Sequence, residues 1–206
     1  MTRPRTVSRW PGPVAWVRET EPWLRDNQRD AIAAAVAAME GQGYGLLKHR
    51  RGLMLADDVG MGKTWEAIGA VAIYWARHPR AGQPVFLVPP ALREKWVAEV
   101  REFTERALKL TPPGRFRNAV ARIGRRFGDE LVVTTSRVGE LSRSRLARTL
   151  GVLVLDEAHR ARNPRSKLSE HLHRIITRSR RRHGPRILFL TATPFQCDHH
   201  RELGLH

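Results

Sequence analysis

Cysteine is all but missing: Cys197 is the one thiol among 206 residues. No disulfide can close within the chain, so the core must hold the fold, and a reducing compartment such as the cytoplasm is the matching expectation. Long apolar runs are missing as well. The longest, Ala31 to Met39, falls far short of the roughly 20 residues that a bilayer-spanning helix needs. The opening stretch MTRPRTVSRWPGP has charge and proline but no apolar h-region, so neither export nor a membrane partner is expected. Acids are scarce, 20 against 37 basic residues, which leaves a net charge of +17. So strong a positive field on so small a body favours polyanions as partners. Lysine is scarce too: only five of the 37 basic residues are Lys. GC-rich coding produces the same arginine skew without selection for phosphate contacts, so charge alone does not decide the partner.

What is present falls into two parts. Residues 1–21 are rich in Arg, Pro and Trp without a period, which reads as an extended arm. Residues 22–206 read as one domain, the size being too small for two ordinary ones. A helix is predicted from Leu24-Arg25-Asp26-Asn27-Gln28 through AIAAAVAAME, stopped by the glycines at Gly41 to Gly45, because alanine favours helix and glycine ends it. Short apolar runs then alternate with helical stretches. The predicted strands are 52–56, 84–89, 107–110, 130–135, 151–157 and 186–192. TWEAIGAVAIYWARH and ALREKWVAEVREF carry apolar residues three and four apart and are the predicted covering helices. This order predicts an α/β fold with a parallel sheet buried on both faces. The Arg-rich segments 115–126 and 177–186 are expected to be solvated loops.

The residues that carry chemistry sit where these runs end. Ala56 to Thr64, ADDVGMGKT, lies between a predicted strand and a predicted helix. Gly60 and Gly62 let backbone N–H groups turn toward phosphate oxygens, and the helix N-terminus adds its positive end. Lys63 has the reach for β and γ phosphates, and Thr64 the hydroxyl for Mg²⁺. The general phosphate-loop pattern puts a glycine where this chain has Asp57, a departure that lowers the motif's specificity when it stands alone. Asp156-Glu157-Ala158-His159 follows the apolar run GVLVL. An acid at a strand tip can hold Mg²⁺ through water, the next acid can polarise the water that attacks a γ-phosphate, and His159 is then placed to face that phosphate. The bland alternative, a pair of capping acids at a surface turn, loses force once a phosphate loop is its partner. Leu190-Thr191-Ala192-Thr193-Pro194 ends a third strand. Thr191 and Thr193 can bond His159 or Glu157 and relay the nucleotide state. Order and placement together specify what each motif alone does not: all three stand where an open α/β sheet binds ligands.

In this order LADDVGMGKT, VFLVPPALREKW, VVTTSRV, VLVLDEAHRARNPRSK and LFLTATPFQ resemble the first lobe of superfamily-two helicases, and within them the Swi/Snf-type ATPases. The resemblance spans roughly residues 22–206 and implies a RecA-like, P-loop NTPase fold binding ATP and Mg²⁺. The Swi/Snf subgroup is indicated by DEAHR followed by Asn163-Pro164 and Ser166-Lys167, by Leu-Ala-Asp before the phosphate loop and by Thr-Pro-Phe-Gln after the hydroxyl strand. It implies that Gln28 reads adenine, that Asp58 belongs to the nucleotide-binding loop, and that Arg93 and Lys95 on the helix after Pro89-Pro90 approach a strand phosphate. It also implies a second phosphate contact at Thr135, Ser136 and Arg137. Trp96 recurs with Leu92, Val97 and Val100 on an apolar face and reads as core rather than a base-stacking platform.

Other candidates carry less. Cys197, Asp198, His199 and His200 match no zinc spacing. His171 and His173, two apart, point to different sides of a helix. The run Arg178 to Arg182 reads as an exposed basic loop. Only 13 residues follow Thr193, whereas a Swi/Snf-type motor has a second RecA-like lobe of ~100 residues or more that carries an arginine finger. The expectation is a fragment of a longer protein, whose partner lobe comes from the same full-length chain or a separate one. Three functions stay open: a double-stranded DNA translocase lobe, a lobe of an RNA helicase or restriction-type motor, and a nucleotide-gated nucleic-acid-binding module without hydrolysis of its own. The expected location is the cytoplasm, nucleoid-associated in a prokaryote, or the nucleus in a eukaryote.

Overall fold

The computed structural model describes residues 24–41, 52–56, 62–109, 114–125, 131–179 and 184–192. The predicted arm at 1–21, together with Asp58, Gly60, Thr193 and the Cys197 to His200 group, lies outside the described residues.

The first described element is the alanine-rich helix α1 (Asp26–Met39). Its first turn is tied back by Gln28, whose Oε1 accepts the Arg25 backbone N–H at 3.0 Å, satisfying one of the donors a helix start leaves open. Gly41, at φ 75°, takes the left-handed turn that ends the helix. Then come β1 (Gly52–Leu55), α2 (Lys63–Arg77), β2 (Pro84–Val88), α3 (Arg93–Lys109), α4 (Gly114–Arg125), β3 (Val132–Thr134), α5 (Val138–Arg143), α6 (Arg145–Thr149), β4 (Val152–Leu155), α7 (Lys167–Arg178) and β5 (Arg186–Leu190). The five strands form one parallel sheet in the order β1-β5-β4-β2-β3.

The strands are apolar on both sides because helices cover both sides. Along β2, Phe86 and Val88 belong to a core shared with α1, α2, α3 and α4, while Val85 and Leu87 belong to a second core with α5, α6 and α7. The period-two alternation of a strand divides these residues between the two layers. Helix α2 lies deepest, with Glu66 through Ala76 all buried, which explains its small residues. At Gly69 α2 meets Ile32 of α1 closely: a Cβ there would stand 2.8 Å from Ile32 Cδ1.

Two expectations are corrected. Residues 107–109 are not a strand but the last turn of α3. Ala107 continues the buried series Trp96, Val100 and Phe103, and the two-residue alternation in ALKL is too short to compete with that helical stripe. The segment 115–126 is not a solvated loop, since α4 occupies Gly114–Arg125. Phe116, Ala119, Val120 and Ile123, buried at helical spacing, form a stripe hidden in the sequence by the arginines between them. One of these, Arg122, lies over the Trp75 ring at 3.9 Å, a cation–π contact that places an arginine at the edge of the core.

Candidate nucleotide and nucleic-acid site

All five strands run in one direction, so their C-terminal ends share one edge of the sheet. The register aligns Leu55 with Leu190, Phe189 with Leu155, Leu155 with Leu87 and Val88 with Thr134. Backbone pairing continues one residue past two of the strands: Asp156 N–H donates to Leu87 O at 2.9 Å and Thr191 N–H to Leu55 O at 3.1 Å. Asp156 and Thr191 are thereby held at rigid strand tips rather than on free loops. The sheet order then sorts the motifs. The tips of β1, β5 and β4 carry the phosphate-loop, hydroxyl and acid motifs, and those of β2 and β3 carry the two segments expected to meet a nucleic-acid backbone.

On the nucleotide side, Gly62 is the residue before α2 and has φ 94° and ψ 25°, a conformation that glycine adopts without strain. Lys63 and Thr64 open the helix, half-buried, so the positive dipole end of α2 lies with them. Gln28 reaches this point from α1: a Cβ at Gly62 would stand only 2.0 Å from Gln28 Nε2. The side-chain amide that caps α1 therefore rests on the last glycine of the loop. Glu66, in the first turn of α2, is fully buried.

The acid motif is fixed more tightly than its sequence suggests. Asp156 Oδ1 accepts the Glu157 backbone N–H at 2.9 Å. Its Oδ2 accepts the Trp96 indole N–H at 2.7 Å. Glu157 has φ 51° and ψ 50°, the one non-glycine residue at positive φ among the described residues. For an acid with a Cβ this is a strained backbone, of a kind that collects at functional sites. Glu157 Oε2 lies 3.1 Å from His159 Nδ1, and both side chains are about one-third exposed. His159 and Thr191 line the same cavity of about 360 Å³, along with Met54 and Phe189.

On the β2 and β3 side, Pro90–Leu92 makes a short 3₁₀ turn into α3, whose first residue is Arg93. Lys95 is exposed and 3.5 Å from Glu99. Thr135–Arg137 makes a second 3₁₀ turn directly after β3. Ser136 Oγ and Thr134 Oγ1 are 2.9 Å apart. Arg137, exposed, pairs with Glu140 at 2.9 Å and lines a cavity of about 600 Å³ together with Arg145 and Arg148.

The SNF2-related domain family matches residues 14–205. The chain belongs to that family. Among relatives, it is 30% identical over 155 residues to the RNA polymerase-associated protein RapA of Pectobacterium carotovorum, covering 72% of this chain and 16% of RapA. It is 27% identical over 146 residues to the SWI/SNF chromatin-remodeling complex subunit snf22 of Schizosaccharomyces pombe, covering 69% of this chain and 8% of snf22. The chain therefore spans less than a fifth of either protein. Its fold is similar to that of the Sulfolobus solfataricus SWI2/SNF2 ATPase core solved in complex with dsDNA, with TM-score 0.52 and 18% identity, over 84% of this chain and 32% of that one. The RecA-like α/β fold expected from the motifs is the fold observed.

Within this SNF2-related lobe, the structure gathers Gln28, Gly62, Lys63 and Thr64 at one point and places Asp156, Glu157 and His159 after β4, which β5 separates from β1. Arg93, Lys95, Thr135, Ser136 and Arg137 lie at the tips of β2 and β3, on the far side of β4. The sequence reading missed the indole of Trp96. It placed that ring in the core, where the ring is, 1% exposed and against Phe86 at 5.3 Å between centroids. The available signal was chemical: a buried indole N–H needs an acceptor, and an apolar helix face offers none. Among the described residues, no helix is long and apolar enough to cross a membrane.

Proposed function

We propose that this chain is the ATP-Mg²⁺-binding first lobe of a Swi/Snf-type double-stranded DNA translocase, hydrolysing ATP when a second RecA-like lobe completes the site. The observation that supports this reading is the sharing of one sheet edge by a glycine-preceded helix start, a strand-tip acid pair and two basic turns, one of which bears the hydroxyls of Thr135 and Ser136. The donor set fits the nucleotide: backbone N–H groups and Lys63 for phosphate, with Asp58 and Gly60 completing the loop. The hydroxyl of Thr64 and the carboxylate of Asp156 are the hard oxygen ligands that Mg²⁺ takes. When bound, the ion neutralises charge that develops between the β and γ phosphates. Glu157 orients and polarises the attacking water, and His159, beside it, carries the arrangement toward Thr191 and Thr193. Gln28 recognises the base.

Short hydroxyls, backbone amides and arginines at Arg93, Lys95, Thr135, Ser136 and Arg137 grip phosphates without reading bases, which suits movement along a duplex. The second lobe, on the same full-length protein or on a separate chain, supplies the arginine that neutralises the γ-phosphate from the opposite side. Work of this kind takes place at the nucleoid, or in the nucleus of a eukaryote. Stimulation by duplex DNA rather than by RNA separates this reading from an RNA-directed motor.

Lys63→Ala tests the nucleotide site. It removes the charge that faces the β and γ phosphates, so ATP titrated calorimetrically in the presence of Mg²⁺ is expected to bind at least ~10-fold more weakly, the scale of one lost charge-assisted contact. Equal affinity for parent and variant would refute the site.

A further inference from the structure

A side-chain hydrogen bond crosses the division of the sheet edge, beside the backbone bond from Asp156 to Leu87. Trp96 stands one turn into α3, the helix that follows β2 and opens with Arg93. Asp156 stands at the tip of β4. The indole N–H of the first meets Oδ2 of the second at 2.7 Å. We propose that Trp96 is a positioning residue: its indole holds the Asp156 carboxylate in the orientation that receives the metal ion, and so couples the phosphate-facing end of α3 to that carboxylate. The inference rests on the reading of Asp156 as the metal acid.

Three observations support it. Each carboxylate oxygen of Asp156 already accepts one hydrogen bond, Oδ1 from the Glu157 backbone and Oδ2 from the indole, so the plane of the group is set by two donors on two different elements. One donor is backbone at the strained Glu157 and cannot move without the strand tip. The other is a side chain on a helix, and it is the adjustable one. The ring is held by its own packing, buried against Phe86, so a displacement of the α3 start is carried to the indole nitrogen instead of being absorbed by a rotamer change. Donors that orient a metal-binding group in this way influence metal affinity without touching the ion. Contact between a nucleic-acid phosphate and Arg93 or Lys95 falls within one helical turn of Trp96.

The test replaces Trp96 in the 206-residue chain by benzothienylalanine, an isostere that keeps the bicyclic ring and lacks the N–H; Trp96→Phe is the second variant. Thermal unfolding of each checks the fold. Binding of a non-hydrolysable ATP analogue is measured in EDTA and across a Mg²⁺ titration, with and without duplex DNA. The indole ¹H–¹⁵N resonance absent from the Trp96→Phe spectrum is followed in the parent. The proposal expects unchanged affinity in EDTA and a Mg²⁺ requirement raised by ~10-fold or more in the isostere variant. In the parent it expects that indole resonance to shift on adding either Mg²⁺-nucleotide or duplex DNA, and the Mg²⁺ requirement to fall when DNA is present. The isostere variant loses this last response. A variant with the parent's Mg²⁺ dependence overturns the positioning role, and a variant that keeps the full DNA response overturns the coupling. A parent that binds nucleotide equally well with and without Mg²⁺ fails at a different step, because Asp156 is then not the metal acid.

Discussion

Glu157 shows what a single residue contributes. Its backbone is left-handed at φ 51°, where a side chain with a Cβ is disfavoured by roughly 1–3 kcal/mol. The arrangement persists because Asp156 is pinned by the sheet before it and the Ala158–Ala161 turn follows directly. Strain that serves catalysis has a testable consequence: stability and activity should move in opposite directions. Glu157→Gly relieves the backbone and is expected to raise unfolding stability by up to ~1 kcal/mol while removing the hydrolysis gained when a second lobe is supplied. Glu157→Gln keeps the strain and the side-chain length, so it is expected to leave stability and ATP binding near the parent's and still abolish the hydrolysis gained when a second lobe is supplied. Urea unfolding and nucleotide titration of the two variants check this. Destabilisation by Glu157→Gly would show that the turn is not strained.

At the scale of elements, α4 is the sharpest case. Its exposed positions are crowded with arginine, yet Phe116 and Ile123 are almost fully buried. Ile123→Ala, a large-to-small change in a packed core, is expected to cost ~2–5 kcal/mol in urea unfolding, whereas a change in a solvated loop would cost almost nothing. The strands were legible in the sequence because both faces are apolar: VFLV and VLVL admit few other readings. The phosphate loop, the acid pair and the hydroxyl strand were legible because each sits at a strand end, and parallel order puts strand ends together. The ends of helices were less so. ALKL at the end of α3 has the composition of a short strand, and only the stripe continuing from Phe103 to Ala107 shows otherwise. What local patterns could not give is contact between distant elements: Gln28 against Gly62, and the Trp96 indole against Asp156. The first depends on the packing of α1 against α2, and the second on the sheet order, in which β2 and β4 are neighbours although β3 lies between them in sequence.

Across the whole molecule, charge and architecture point the same way. With a net charge of +17, the proposed binding to duplex DNA is expected to depend strongly on salt, since each phosphate neutralised releases counterions. Affinity for two unrelated duplexes is expected to be similar at any one ionic strength and to fall steeply between about 50 and 200 mM salt; fluorescence anisotropy reads both. A base-specific or salt-independent interaction would contradict phosphate recognition. The central claim, that this lobe supplies the binding half of a motor site, is tested most directly by steady-state ATP hydrolysis. The 206-residue chain is assayed alone and with a second RecA-like lobe of an SNF2-related protein, each with and without duplex DNA. An arginine supplied from outside is worth about 10³ to 10⁵ in rate in comparable phosphoryl transfers. The account predicts ATP bound but hardly turned over by the chain alone, and a DNA-dependent rise of orders of magnitude when the second lobe is supplied. Turnover near ~1 s⁻¹, in the ordinary enzymatic range, by the chain alone would contradict it.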